Sequence, residues 1–228
     1  MSAAATGEDV QKKVKKFSWR FLIVVGVFVG AALLFAAITD EIILENENGL
    51  DVWAFHRLAN IVSPATTRLM LIITFFGSAY FLFPAYILLV SYFLFFKKDT
   101  RLSLDVAAVG LTSTGILFWL KNIFHRHRPL DPLVHSVNGF SFPSGHSFSS
   151  FTFFGLLIYI IWNHPLNTSL RWVLTIFFLL FAASIALSRV YLHVHFASDV
   201  IAGLCLCIVW LSISFWVFQK FPRKLDKA

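Results

Sequence analysis

Lys121, Arg128 and Arg189 carry positive charge, His146 and His195 titrate near neutrality, and Asp199 is a carboxylate. All of them fall in three short patches of an otherwise apolar chain. Lys121 is followed after six residues by Arg128-Pro129, Pro143-Ser144-Gly145-His146 comes next, and Ser188-Arg189 is followed by His195 and Asp199; Arg126 lies beside the first patch. Charges next to hydrocarbon are expensive to desolvate, so their clustering calls for a ligand of opposite sign or a shared water-filled cavity. A phosphate supplies the opposite sign, and phosphoryl transfer is the chemistry these residue types fit.

Lys121 and Arg128 pair a flexible ammonium with a planar guanidinium fork, which suits a tetrahedral oxyanion approached from two directions. Taken alone, they and Arg126 read first as a basic cap on a membrane span, in contact with headgroups. Pro143-Ser144-Gly145-His146 has the form of a helix entry: Ser144 can cap, Gly145 permits close backbone approach, and the free N–H groups of a first turn attract an anion. His146 can donate a proton to a leaving alkoxide, which a permanently charged arginine cannot. In isolation this motif too reads first as a plain cap. His195 and Asp199 are four apart; on a helix they would share a face, so the carboxylate could hold one ring nitrogen and leave the other directed at an electrophile. The alternative is a buried His–Asp pair with an interfacial Arg189.

The elements that position these patches are membrane spans. The 228 residues are 58% hydrophobic with a mean hydropathy of +0.76, beyond what a soluble core requires. Apolar stretches run from Phe21 to Thr39, Leu69 to Phe96, Val106 to Leu120, Phe148 to Trp162, Trp172 to Leu187 and Val200 to Phe218, several near the roughly 20 residues of a spanning helix. The expected fold is all-α: a polytopic bundle of six transmembrane helices with both termini cytoplasmic, with seven spans as the alternative. Gly77 and Pro84 divide the long second stretch into an interfacial or re-entrant piece from about Thr66 and a span from about Tyr80. Residues 1–228 form one membrane-embedded domain: a cytoplasmic tail over 1–18, short and amphipathic or frayed, an outer loop with a surface helix over 40–68, and the motif-bearing region 121–199. In the surface helix, Val52, Phe55, Leu58, Ala59 and Val62 stand at helical spacing. Cations gather at Lys12 to Arg20, Lys97, Lys98, Arg101, Arg171 and from Lys220 onward, whereas Asp40 to Asp51 holds five acids and no base. Those cations mark the inner side, and all three patches then fall at outer ends of spans.

The net charge of +7 sits mostly on the inner flanks, where it sets topology and attracts anionic lipid, so nucleic acid is not an expected partner. The first apolar stretch is longer than a typical signal h-region and lacks a small-residue cleavage site, so it stays as a span. Cys205 and Cys207 read as buried reduced thiols. His125, His127 and His193 resemble metal-ligand pairs, but the surrounding cations would repel a divalent ion and one nearby carboxylate cannot offset them. No metal or cofactor is expected, and these histidines read as loop or headgroup contacts. Arg126, outside the motifs, is placed to touch a substrate.

The ordered set K-x6-R-P, P-S-G-H and S-R-x5-H-x3-D, over Lys121 to Asp199, closely resembles the three signature motifs of the type 2 phosphatidic acid phosphatase superfamily of integral membrane lipid phosphatases. That resemblance implies a metal-independent two-step hydrolysis: His195 attacks phosphorus, Asp199 orients its imidazole, His146 protonates the leaving oxygen, and water removes the phosphohistidine. It also implies that Lys121, Arg128, Ser144, Gly145 and Arg189 bind the phosphate and stabilise its charge. The implied partner is a lipid phosphate or pyrophosphate, such as phosphatidylglycerophosphate, phosphatidic acid or undecaprenyl pyrophosphate, in a cytoplasmic membrane with the site facing outward. The motifs do not choose among these lipids; the loop Leu130 to Phe142 and the stretch Asp51 to Ser63 are where headgroup selectivity would reside. A lipid phosphotransferase on the same scaffold and a non-catalytic lipid-phosphate transporter are the alternatives. Vanadium haloperoxidases share the motifs but are soluble.

Overall fold

Polar and turn-forming residues between the apolar stretches stop one helix and start the next. The computed structural model describes residues 7–44, 49–134 and 138–220; Glu45, Glu47, Arg223, Lys224 and Lys227, used above to orient the chain, lie outside them. The described residues form α1 (Gly7–Leu44), α2 (Gly49–Ala59), α3 (Pro64–Phe75), α4 (Ala79–Ser91) with a π-helical turn Tyr92–Phe96, α5 (Thr100–Phe124), α6 (Gly145–Asn163), α7 (Thr168–Tyr191) and α8 (Ala197–Lys220). Among them there is no strand. Ser63 caps α3 through a reciprocal box with Thr66, ahead of Pro64, where a missing N–H costs nothing. Asp99 accepts from Leu102 N at 2.8 Å at the start of α5, and Asn167 accepts from Leu170 N at 2.7 Å at the start of α7. These side chains satisfy amide donors that a helix start leaves orphaned.

Among the described residues, six runs are long and apolar enough to cross a membrane: Phe21–Ile42, Pro64–Phe96, Thr100–Phe124, Gly145–Asn163, Thr168–Tyr191 and Ala197–Lys220. Leu111, Phe118 and Leu180 stand outward on them, as expected where lipid rather than water is the solvent. The chain is a multi-pass membrane protein. The second run is 33 residues, about 50 Å of helix against a hydrocarbon core of about 30 Å, and it breaks at Phe76–Ser78 between α3 and α4. Of the two residues the sequence offers for that break, Gly77 lies in it and Pro84 lies inside α4; a Cβ on Gly77 would collide with Ile185 on α7 and sit 3.3 Å from the His146 ring on α6.

α6 is the central helix, packed against α7, α8, α5 and α4, while α1 lies along α8 and α3 along α7. Phe148, Leu156, Leu102 and Val106 fill the core between α5, α6 and α8. Two expectations shift. Residues 7–18, read as a short tail, continue the first span as one helix of 38 residues. In α2 the inward face is Asp51 and Ala54 with Phe55 and Leu58 partly buried, whereas Val52, Ala59 and the following Val62 are exposed. An aspartate takes the most buried position of that helix, and its partners explain why.

Candidate active site

The three motifs meet at one end of the bundle, where α5 stops, α6 starts, α7 stops and α8 starts. His125 ends α5 in the left-handed conformation at φ 49°, its N–H returning to Lys121 O. The chain then runs through Arg126 and Arg128, and Ser141 N donates back to Arg126 O at 2.8 Å. Lys121 Nζ donates to Phe140 O at 2.6 Å, which ties the first motif to the approach of the second. Ser144 caps α6, with Ser147 Oγ donating to Ser144 Oγ at 3.0 Å, and its own N–H donates to Asp199 O at 3.0 Å. That bond joins the second motif to the third. A Cβ on Gly145 would lie 3.1 Å from Leu117 and 3.8 Å from Lys121 Cε, so the lysine stem passes directly over this first turn.

His195 reaches the site by a reversal rather than by a helix. α7 ends at Tyr191, His193 takes φ 53°, and the amides of Val194 and His195 both return to Arg189 O, at 3.2 and 3.3 Å. A five-residue spacing thereby sets His195 beside Arg189. Because α8 begins only at Ala197, His195 and Asp199 do not share a helical face. Instead Asp199, in the first turn, folds back: its Oδ2 accepts from Phe196 N at 2.9 Å and lies 3.4 Å from His195 Nδ1. On the other side of the ring, His195 Nε2 is 3.2 Å from Arg128 Nη1, and that guanidinium also donates to Val194 O at 2.7 Å.

Lys121, Arg128, Arg189 and His146 all lie within electrostatic reach of His195. Burial first, then the Arg189, Arg128 and Lys121 charges, hold the His195 imidazole well below its ordinary value. A neutral ring whose Nδ1 faces a carboxylate has its lone pair on Nε2, the nitrogen that faces the cations. The arrangement can therefore present a nucleophile to an anion held by Lys121, Arg128 and Arg189. Gly145 and His146 also border a cavity of about 470 Å³ between α4 and α5, lined by Leu82, Tyr86, Leu111 and Leu117 among others.

All eight expected site residues converge here; several others were not expected. Thr74 Oγ1 accepts from Arg189 Nη1 at 2.7 Å in a buried setting. Arg126, expected at the substrate, is instead buried between Asp51 and Asp199, at 3.0 and 2.7 Å. Ser198 completes that group. Threonine, serine and an acid in an acidic loop carry no motif signal, and only the partner across the bundle reveals them. Of the extra histidines, His193 packs at a tilt against Phe55 with centroids 4.6 Å apart, His125 meets the edge of Phe140 at 4.4 Å, and His127 is exposed. Among the described residues no three of His, Cys, Asp or Glu are grouped so as to hold a metal ion.

Comparisons with known proteins identify the family. Phosphatidylglycerophosphatase B of Bacillus subtilis (strain 168) is 31% identical over 169 residues, covering 73% of this chain and 80% of that protein. Dolichyldiphosphatase 1 of Dictyostelium discoideum is 28% identical over 133 residues, 55% of this chain and 58% of that protein. The crystal structure of the transmembrane PAP2 type phosphatidylglycerolphosphate phosphatase from Bacillus subtilis superposes with a TM-score of 0.75 at 28% identity, over 88% of this chain and 98% of that one. That of Aquifex aeolicus LpxE gives 0.55 at 26%, over 75% and 98%. Residues 102–223, which hold all three motifs, match the PAP2 superfamily as a whole, and this chain belongs to that superfamily.

Proposed function

We propose that this chain is a membrane lipid phosphatase that removes a terminal phosphate through a phosphohistidine on His195. The observation that carries the reading is the placement of His195: Nδ1 on Asp199, Nε2 on the cationic side beside Arg128. The Nε2 lone pair attacks phosphorus and the P–O bond to the lipid breaks. His146, at the mouth of the apolar cavity, gives its proton to the departing oxygen. Water then attacks the phosphohistidine, with its proton passing to His146, and inorganic phosphate leaves. Lys121, Arg128, Arg189 and the first-turn amides at Ser144 and Gly145 balance charge on the equatorial oxygens. Three cations within reach of the reacting nitrogen supply that stabilisation without a metal ion and would repel a divalent cation.

The lipid's chain fits the cavity between α4 and α5, which lets a substrate reach His146 while its tails stay in the bilayer. The relatives' names favour phosphatidylglycerophosphate; a polyprenyl diphosphate is the second reading, favoured by the dolichyldiphosphatase relative. The inner-flank cations support cytoplasmic termini in a cytoplasmic membrane, with the site on the outer side and the chain acting as one membrane-embedded unit. Phosphate release in detergent from phosphatidylglycerophosphate, phosphatidic acid and undecaprenyl pyrophosphate, each with and without a chelator, tests the reading. Turnover of at least one lipid, indifferent to chelator, is the expected result. Release that a chelator abolishes would overturn the metal-independent mechanism, and lipid binding without release would point to a transporter.

A further inference from the structure

Asp51, from the outer helix α2, is fully buried against the first turn of α8, and no motif accounts for it. Its Oδ1 accepts from Ser198 N at 2.8 Å, its Oδ2 accepts from Ser198 Oγ at 2.8 Å, and Oδ2 also accepts from Arg126 Nη2 at 3.0 Å. Arg126 turns its second nitrogen, Nη1, to Asp199 Oδ1 at 2.7 Å and to Ser198 Oγ at 2.8 Å. The guanidinium lies over the Phe196 ring at 4.0 Å. Two carboxylates thus share one planar fork, and the shared residue is only 4% exposed. A fork with fixed N–H directions can bridge two carboxylates at set angles, which a lysine ammonium cannot reproduce.

We propose that Arg126 and Asp51 are positioning residues for the reaction, fixing the Asp199 carboxylate against His195 and setting the charge balance that the His195 ring experiences. The inference rests on the reading of His195 and Asp199 given above. Asp199 Oδ1 is occupied by Arg126, so only Oδ2 is left for the imidazole, and the rotamer that offers Oδ2 to Nδ1 is the one Arg126 holds. Asp51 in turn keeps Arg126 from rotating, and it caps the start of α8 by accepting the Ser198 amide from another helix. α2 is therefore bound to the reacting pair, although it lies more than a hundred residues away in sequence.

The charged and titratable groups facing His195 are Lys121 and Arg128 from α5 and the loop after it, His146 from α6, Arg189 from α7, Asp199 from α8 and, through Asp199, Arg126 and then Asp51 from α2. Removing Arg126 takes one positive charge from this set, and removing Asp51 takes one negative charge. The two changes must move His195 titration in opposite directions, a result that a general loss of folded protein cannot imitate. The experiment is the pH dependence of kcat/KM for phosphate release by the full-length protein in detergent, with the folded fraction fixed by size exclusion. For Arg126→Met, kcat falls by about 100-fold, in the range of a positioning contact, and the acid limb moves to higher pH. For Asp51→Asn, kcat falls by about 10-fold and the acid limb moves to lower pH. Arg126→Lys keeps the charge, so its acid limb overlays that of the parent while kcat falls by about 10-fold for want of the fork. Should Arg126→Met fail to fold, Asp51→Asn and Arg126→Lys decide the matter. Acid limbs that superimpose for Asp51→Asn and the parent, or kcat values within twofold of the parent, would overturn the inference. His195→Asn run alongside separates the two readings: retained activity there sinks the nucleophile assignment, whereas its loss beside unaffected Arg126 and Asp51 variants sinks only the positioning role.

Discussion

His195 Nε2 stands 3.2 Å from Arg128 Nη1, so the nitrogen turned away from Asp199 is the one that faces the cations. With burial and three nearby charges holding the imidazole well below its ordinary value, His195 stays neutral as the pH falls through about 6.5, the reference value. The acid limb of kcat/KM, which reports the free enzyme, is expected below that pH. The same shift has a consequence for stability. An unfolded chain takes up a proton at this histidine near pH 6.5 and the folded chain does not, so its contribution is present above that pH and is lost as the pH falls toward the folded value. The melting temperature should therefore decline from pH 7 to pH 5, and less steeply in His195→Asn. An acid limb above pH 6.5 would show that the ring titrates as an ordinary histidine.

Thr74 holds Arg189 from across the bundle, with a 2.7 Å bond between buried groups. Thr74→Val keeps the shape and removes the acceptor. Loss of a hydrogen bond to a charged group costs about 1.5–3 kcal/mol, so kcat/KM should drop by about 10- to 100-fold. Thr74→Ser should restore most of it. Equal activity in the valine and serine variants would show that Arg189 is held by other means.

At the crossing of α6 and α8, a Cβ on Gly203 would lie 3.0 Å from Ser144 O, 3.2 Å from Phe148 N and 3.2 Å from Ser147 Cβ. Two of these are backbone atoms, which yield only if a helix moves. Gly203→Ala should destabilise by about 1–3 kcal/mol, the usual cost of overpacking, and should lower kcat because the Ser144–Asp199 junction is the part displaced. Gly115 on α5 has nothing within 4 Å, so Gly115→Ala should leave activity unchanged and stability equal or higher. Thermal melts in detergent, read beside phosphate release, check both.

Lys121, Arg128, Ser144, His146, Arg189, His195 and Asp199 stood out in the sequence because each is a polar residue near the end of an apolar run, and Gly145 because it lies between two of them. The six spans were legible for the same reason, through length and hydropathy. The spacing of four between His195 and Asp199 would put both on one face only if that stretch were helical, and the left-handed turn at His193 sends the chain back to Arg189 instead. Asp51 looked like one more acid in an acidic outer loop, and Arg126 looked like one more cation beside the first motif. Each owes its place to a partner 75 residues away, a relationship that only the packing of α2 onto α8 creates. Gly77 was visible as a break in its apolar stretch, but Thr74 was hidden within it, because its neighbour Arg189 lies across the bundle.

The central claim is that phosphate passes through His195, and acid- and base-quenched trapping of the labelled enzyme tests it most directly. The full-length protein in detergent, mixed with a lipid substrate labelled in its terminal phosphate and quenched within the first turnover, should retain label on the chain. That label should be stable to base and lost in acid, as a phosphoramidate bond to imidazole requires. His195→Asn should retain none, while His146→Asn, slowed at proton transfer, should still be labelled if the substrate carries a good leaving group. Label that persists in His195→Asn, or wild-type turnover with no acid-labile label at any time, would contradict the phosphohistidine route.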